Sequence, residues 1–438
     1  MTETTTSATS DRAAARSVVL ITASELEPRS FGKQVVLGGL LDHVCERLGA
    51  DNVHVVLVGR AGLLRPPTPY RLTVITKPTA VEQARSAATR VFLPPFSSLQ
   101  EAALFSPRVL AELRELLPQI AADVEIWDTM RMGQYARLLP RKRRVLYADD
   151  LFSQRYGSML ERIRTDRTRL DNPLGEFGRV LPGPARRVAN HPWGYTPLLH
   201  LERRRTTQSE NDAPADFDGT ALVNGQETAE LVRRTGSTTI RTLLPLISVG
   251  GRPRRFDGSP TFVFLGGLDF PPNRDGLTWF LANAREAVLA ALPEFRLLVV
   301  GRGSDTAMPA EAAAWGEHVQ AVGWVDDLDD VLSSAAGLLS PLRIGSGTKI
   351  KVLEALARGL PVVATPHGVL GLDVGSSDGC LVSADVASLA ADLYGCSIPE
   401  QNERLSAAAG HAWATKFSPS VASRDYDELL GLPAVVHA

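Results

Sequence analysis

Pro341-Leu-Arg-Ile-Gly-Ser-Gly-Thr-Lys-Ile-Lys-Val-Leu-Glu-Ala-Leu-Ala-Arg-Gly-Leu-Pro-Val-Val-Ala-Thr365 reads, in order, as the end of a buried strand, a glycine loop, a short helix and a second strand. A strand passing through a helix into another apolar strand is the unit of a parallel α/β sheet. Gly345 and Gly347 let the backbone approach a ligand closely, and Ser346 or Thr348 is placed to cap the helix. The N–H groups of the first helical turn then face whatever lies in front, and an anion is the natural guest. Arg343, Lys349 and Lys351 supply charge for it, while Glu354, one turn deeper, is an acceptor suited to paired sugar hydroxyls. A nucleotide contains both parts. The plainer alternative is a Ser/Thr cap with Lys351 and Glu354 as a solvated i,i+3 pair. A helix turns ~100° per residue, so Lys349 and Lys351 point apart and Lys351 lies within ~60° of the face of Glu354. Lys351 is therefore the expected cleft cation and Lys349 the second.

The alternation extends outward from this stretch. Strands are expected at Thr261–Leu265, Arg296–Val300, Val319–Val322, Gly337–Ser340 and Val362–Thr365, with helices between, forming a doubly wound sheet that starts near Gly258. Earlier, strands at Val18–Ile21, Val53–Val58, Arg71–Ile75, Val124–Trp127 and Val145–Tyr147, with helices at Lys33–Leu48 and Pro107–Leu117, predict a first parallel sheet. Thr206–Gly219 is polar and acidic and reads as a loop; Val249–Pro260, rich in Gly, Arg and Pro, reads as the interdomain linker. Helices at Glu400–Phe417 and Pro419–Leu430 close the chain. The expected division is a disordered tail over 1–16, a first Rossmann-like domain over 17–250, a second over 251–398, and terminal helices over 399–438.

Length and composition bound the function. A chain of 438 residues exceeds one ordinary core. Its 47 Lys and Arg against 49 Asp and Glu give a net charge of -2, so nucleic acid is not an expected partner. Cys45, Cys380 and Cys396 are far apart, with no disulfide framework or zinc spacing, which suits a reducing, cytoplasmic compartment. Met1 to Arg16 lacks the apolar run of a signal peptide, and no stretch is long enough to span a membrane.

Glu354 to Thr365 fits, without a gap, the Glu-Ala-x-Ala-x-Gly-x-Pro-Val-Val-x-Thr signature of the donor site in retaining, nucleotide-sugar-dependent glycosyltransferases of family 4. Other stretches resemble the same family in the same order. Phe262-Val-Phe-Leu-Gly-Gly-Leu268, with Gly266 and Gly267, and then Pro272-Asn-Arg-Asp-Gly-Leu-Thr-Trp-Phe280 resemble the strand, turn and helix that open its nucleotide-binding half. Leu297 to Gly303 resembles the next strand, and Val322 to Leu328 the segment flanking the base. The resemblance runs from about Thr261 to Leu372 and implies a GT-B fold: α/β, two doubly wound Rossmann-like domains facing each other across a cleft. In such folds a terminal helix crosses back to the first domain.

The resemblance implies transfer of a sugar from a nucleoside-diphosphate sugar with retention, without a cofactor or dedicated metal. The histidines show no metal-ligand spacing either. The acceptor is unidentified, either lipid-linked or a small molecule, and any membrane contact is peripheral, at the inner face. The basic runs Arg141–Arg144 and Arg203–Arg205 suit anionic headgroups or a plain solvated surface. On the second-domain side, Lys351 and Arg343 are the expected catalytic cations, with the loop Gly345, Ser346, Gly347, Thr348, Lys349 and then Glu354 around the donor. On the first-domain side, Gly32 allows close approach to the donor phosphates and Lys33 adds charge, and Asp150, expected as the third catalytic residue, hydrogen-bonds a sugar or acceptor hydroxyl. Two departures stand out: Ser346 replaces the first of two family glutamates, and Asp275, not a basic residue, precedes Gly276. A sugar-nucleotide epimerase of the same architecture and a non-catalytic partner subunit are the competing readings.

Overall fold

A computed structural model describes residues 14–27, 29, 32–60, 62, 67–91, 97–166, 191–247 and 254–433. Residues 1–13 of the expected tail and 249–253 of the expected linker lie outside the described residues. Among the described residues, thirteen strands divide into two sheets, and every pairing is parallel. The first contains β1 (Val18–Thr22), β2 (Val53–Gly59), β3 (Arg71–Thr76), β4 (Val124–Asp128), β5 (Arg144–Asp149), β6 (Gly219–Leu222) and β7 (Ile240–Thr242), in the order β3-β2-β1-β4-β5-β6-β7. The second contains β8 (Thr261–Leu265), β9 (Arg296–Val300), β10 (Val319–Gly323), β11 (Gly337–Ser340), β12 (Val362–Ala364) and β13 (Cys380–Val382), in the order β10-β9-β8-β11-β12-β13. The strand order reverses between β1 and β4 in one sheet and between β8 and β11 in the other, and ligands of open α/β sheets bind at such switch points.

The inner strands of both sheets are buried on both faces, which is why most of them read as continuous apolar runs rather than alternating ones, whereas the edge strands β3 and β10 stay partly exposed. In β1, Val18 and Leu20 enter one core with the helix Gly32–Leu48, while Val19 and Ile21 enter another with the helix Pro107–Ile120. In β8, Phe262 and Phe264 pack with Phe280, Phe295 and Trp315, while Val263 joins Leu338, Val352 and Val362 on the opposite face.

The last helices serve different domains. Pro399–Ala412 places Leu405 and Ala409 in the second domain's cores. Trp413–Phe417 widens into a π turn, and Pro419–Leu430 then buries Ala422, Tyr426 and Leu430 in the first domain's core. Tyr426 donates to the Leu244 carbonyl at 3.0 Å, and Asp427 meets His43 and Arg47.

One sequence expectation is overturned. Thr206–Gly219 is not a loop: the helix Pro192–Asp216 runs through most of it. Thr206, Ser209 and Glu210 face inward and are paired there, while Gln208 and Asp212 face out. Glu210 accepts from the Ser153 N–H at 3.0 Å and from Arg234 at 2.9 Å, and the Ser209 hydroxyl donates to Glu101. Polarity signals solvent only when such partners are lacking. The short strands β6, β7 and β13 were also not anticipated. Among the described residues, no helix is long and apolar enough to cross a membrane.

Candidate functional site

The glycine loop emerges from β11 at the second sheet's switch point, beside the turn that leaves β8. Gly347 has φ 69°, the left-handed region glycine favours, and a Cβ there would lie 3.2 Å from the Cβ of Asp150. The helix Ile350–Ala357 begins one residue after Lys349, which stands at its N-cap without a side-chain cap bond. Ser346 and Thr348 therefore do not cap this helix. Their hydroxyls donate across the cleft instead, Ser346 to Asp150 and Thr348 to the Val223 carbonyl. A Cβ on Gly345 would lie 3.6 Å from the Cγ of Pro272. At the end of β8, Gly266 leaves room for Asn273, whose amide donates to the Gly267 carbonyl at 2.9 Å.

The cations differ sharply in their commitments. Lys351 Nζ donates to Asn273 Oδ1 at 2.8 Å and sits 4.9 Å from the centre of the Phe264 ring. Burial, helped by the charge of Lys349, pushes its pKa down to about 7. Lys349 is not a helix residue, so the rotation expected between the two lysines does not apply. Its ammonium folds back onto the Ser346 and Gly347 carbonyls, each at 2.9 Å, and burial lowers its pKa to about 8. Glu354 follows Lys351 on the same helix, its pKa pushed up to about 7 by burial against the opposing charges of Arg358 and Lys351. Arg343 is committed elsewhere: its guanidinium pairs with both carboxylate oxygens of Asp275, at 2.7 and 3.1 Å. The acidic residue before Gly276 is thus neutralised by the arginine expected to meet phosphate.

On the first-domain side, Asp150 is 6% exposed and one of its oxygens receives Arg155 and Ser346. Burial alone would raise its pKa, but Arg155 and Ser346 outweigh that and lower it. The other oxygen, Oδ1, is buried without a hydrogen-bond partner. Gly32 opens the helix Gly32–Leu48 opposite Ile350, and a Cβ there would make ordinary contact at 3.4 Å. Lys33 lies 2.6 Å from Asp128 and 3.1 Å from Asp149. Burial disfavours its charge, yet the two carboxylates outweigh burial and raise its pKa. One ammonium between two carboxylates leaves a net negative cluster, poorly suited to the phosphate role expected for Lys33. Thr129 and Asp149, at the ends of β4 and β5 beside this cluster, have φ of 62° and 72°. Such left-handed non-glycine residues gather at functional edges of folds. In the basic run before β5, Arg144 is 3% exposed and bonds the Ala136 and Pro140 carbonyls, so it is not part of a surface patch.

Three site residues escaped sequence reasoning: Asn273, Arg155 and Glu227. Arg155 Nε donates to the Ser346 hydroxyl at 3.1 Å, across the cleft. Glu227 is 1% exposed and bonds the Gly347 N–H at 2.8 Å. The one available signal for Glu227 was Asn224-Gly-Gln-Glu227, a helix start, which says nothing of a partner 120 residues away. Among the described residues, no group of three or more His, Cys, Asp or Glu is placed to hold a metal.

Residues 259–396, within the second domain, match the family model described as Glycosyl transferases group 1. The chain is 30% identical over 139 residues to the phosphatidyl-myo-inositol mannosyltransferase of Mycobacterium leprae, covering 31% of this chain and 36% of that one. The Mycolicibacterium smegmatis protein of the same name is 33% identical over 147 residues, covering 32% and 37%. The match thus spans little more than a third of these relatives. Among solved structures, the sucrose-phosphate synthase of Thermosynechococcus elongatus has a TM-score of 0.63 at 15% identity, covering 94% of this chain and 98% of that one. WaaG, a glycosyltransferase involved in lipopolysaccharide biosynthesis, has 0.59 at 15%, covering 94% and 99%. Anabaena HepE in complex with UDP-glucose has 0.57 at 12%, covering 94% and 99%. The fold of the described residues is GT-B.

Proposed function

We propose that the protein is a retaining glycosyltransferase that takes a sugar from a nucleoside-diphosphate sugar and passes it to a hydroxyl of an acceptor held on the first-domain side. The observation that carries this reading is Lys351, a desolvated ammonium 2.8 Å from Asn273 at the switch point of a glycosyl transferases group 1 domain, with Glu354 on the same helix. Breaking a glycosyl–phosphate bond puts growing negative charge on the departing diphosphate. A prearranged cation in a water-poor site stabilises that charge more than water would. Lys351 takes that position, Lys349 stiffens the loop beside it, and Glu354 accepts hydrogen bonds from paired hydroxyls of the donor. Arg343 acts one step back, by cancelling the charge of Asp275.

The donor class is supported by the neighbouring structure that binds UDP-glucose. The acceptor class is supported by the relatives named for phosphatidyl-myo-inositol, whose headgroup is a polyol. A cytoplasmic location, peripheral to a membrane if the acceptor is a lipid, belongs to the same proposal.

The test is thermal unfolding with UDP, GDP, ADP and their sugar conjugates, on wild type and Glu354→Ala. Stabilisation by one nucleotide family that disappears in the variant supports the donor site and names the base. Absence of any shift at millimolar concentration overturns it.

A further inference from the structure

The helix Gly225–Thr235 is already capped. Asn224 accepts from the N–H groups of Gln226 and Glu227, at 2.8 and 3.4 Å. Glu227 is therefore not needed as an acceptor for its own helix, and its carboxyl group leaves it. One oxygen accepts the N–H of Gly347 and the other that of Leu151, both at 2.8 Å. Gly347 belongs to the glycine loop of the second domain, and Leu151 follows Asp150 in the first. Two N–H donors cannot bond each other, so these two N–H groups are both satisfied here only with an acceptor between them. Glu227 is that acceptor, and it is 1% exposed.

On the glycosyl-transfer reading given above, we propose that Glu227 is a positioning residue: a carboxyl clip that joins the Asp150 loop to the glycine loop and completes the donor pocket across the two domains. Ser346, Gly347 and Thr348 meet Asp150, Glu227 and Val223 respectively, so three consecutive residues of the second domain are bound by the first. The clip has a chemical consequence for the donor. The Gly347 N–H is occupied by protein, so a diphosphate is received by Lys351 and the neighbouring helix start while Glu227 stays in place. Glutamine at this position keeps the shape but offers one acceptor and one donor to two N–H groups, which breaks half of the clip. Alanine breaks all of it.

The test uses the full chain, with UDP and GDP as probes, comparing wild type, Glu227→Gln and Glu227→Ala. Hydrogen exchange is followed in peptides covering Leu151 and Gly347, and nucleotide affinity by calorimetry. The expected result is faster exchange at both loops but not in β1 or β8, with affinity weakened about tenfold or more in the alanine variant and less in the glutamine variant. The glutamine variant guards against misfolding, because it retains the volume of the side chain. Unchanged exchange in both variants overturns the clip. Faster exchange with unchanged affinity overturns the positioning role and leaves a purely structural contact. If wild type binds neither nucleotide, the glycosyl-transfer reading loses its support, and exchange at the two loops alone decides whether the clip exists.

Discussion

Lys351→Met separates function from stability. The ammonium pKa falls from its ordinary 10.5 to about 7 because burial disfavours its charge, which corresponds to roughly 4–5 kcal/mol against the charged form. Lys351 keeps partial solvent contact, so about 2–3 kcal/mol of this is expected to act on folding. The sign follows from proton counting. Between about pH 7 and 10.5 the unfolded chain binds the proton that the folded chain has released, so this lysine makes stability rise with pH across that window. Methionine keeps the apolar stem over Phe264 and removes the charge. The variant should therefore be more stable than wild type by about 2–3 kcal/mol near pH 7, with the advantage vanishing toward pH 10.5. In the same samples, stabilisation by nucleoside diphosphate should be largely lost. Urea denaturation across pH, with and without UDP and GDP, reads both effects. A variant less stable than wild type at pH 7 with nucleotide stabilisation intact would refute the reasoning and make Lys351 a structural residue.

Nucleotide affinity should also fall as pH rises above about 7, because Lys351, with its pKa lowered to about 7, must regain a proton to meet the diphosphate. Lys351→Met should flatten that dependence by about one decade per pH unit; calorimetry showing the same slope in both proteins would contradict it. Arg343→Ala should destabilise the fold by about 2–4 kcal/mol by removing the two-pronged cationic partner of Asp275, with much of the loss recovered when Asp275→Asn is added. Loss of nucleotide binding at unchanged stability would instead make Arg343 a direct phosphate ligand.

The legible part of the site was its backbone. The glycine spacing between Gly345 and Gly347, the strand before it and the short helix after it follow from local steric preference and apolar periodicity, and each appears within a residue or two of its expected place. The helix through Thr206–Gly219 was hidden for a physical reason. Glu202, Glu210 and Ser209 look solvated in one dimension, whereas in the fold their partners arrive from helices near residues 100 and 153. β7 and β13 have only three residues each, too few to show a period.

Charge assignments fared differently from backbone ones. Arg343 is cancelled by Asp275, 68 residues away, and Lys33 by Asp128 and Asp149 on neighbouring strands. Lys349, expected on a helical face, folds onto the loop it follows. Asn273 came to hold Lys351 because the turn after β8 and the helix after β11 adjoin at a sheet switch point.

By itself, then, the amino-acid order determined two parallel α/β units, a glycine loop leading into a helix, and a lysine and a glutamate one turn apart behind it, since these depend on short-range sterics and on which residues avoid water. Only the tertiary structure decided which charges remain available in the cleft, and that a carboxyl group from the first domain bonds the second domain's glycine loop. Electrostatic environment is a property of groups brought together from distant parts of the chain, and no local pattern encodes who those neighbours are.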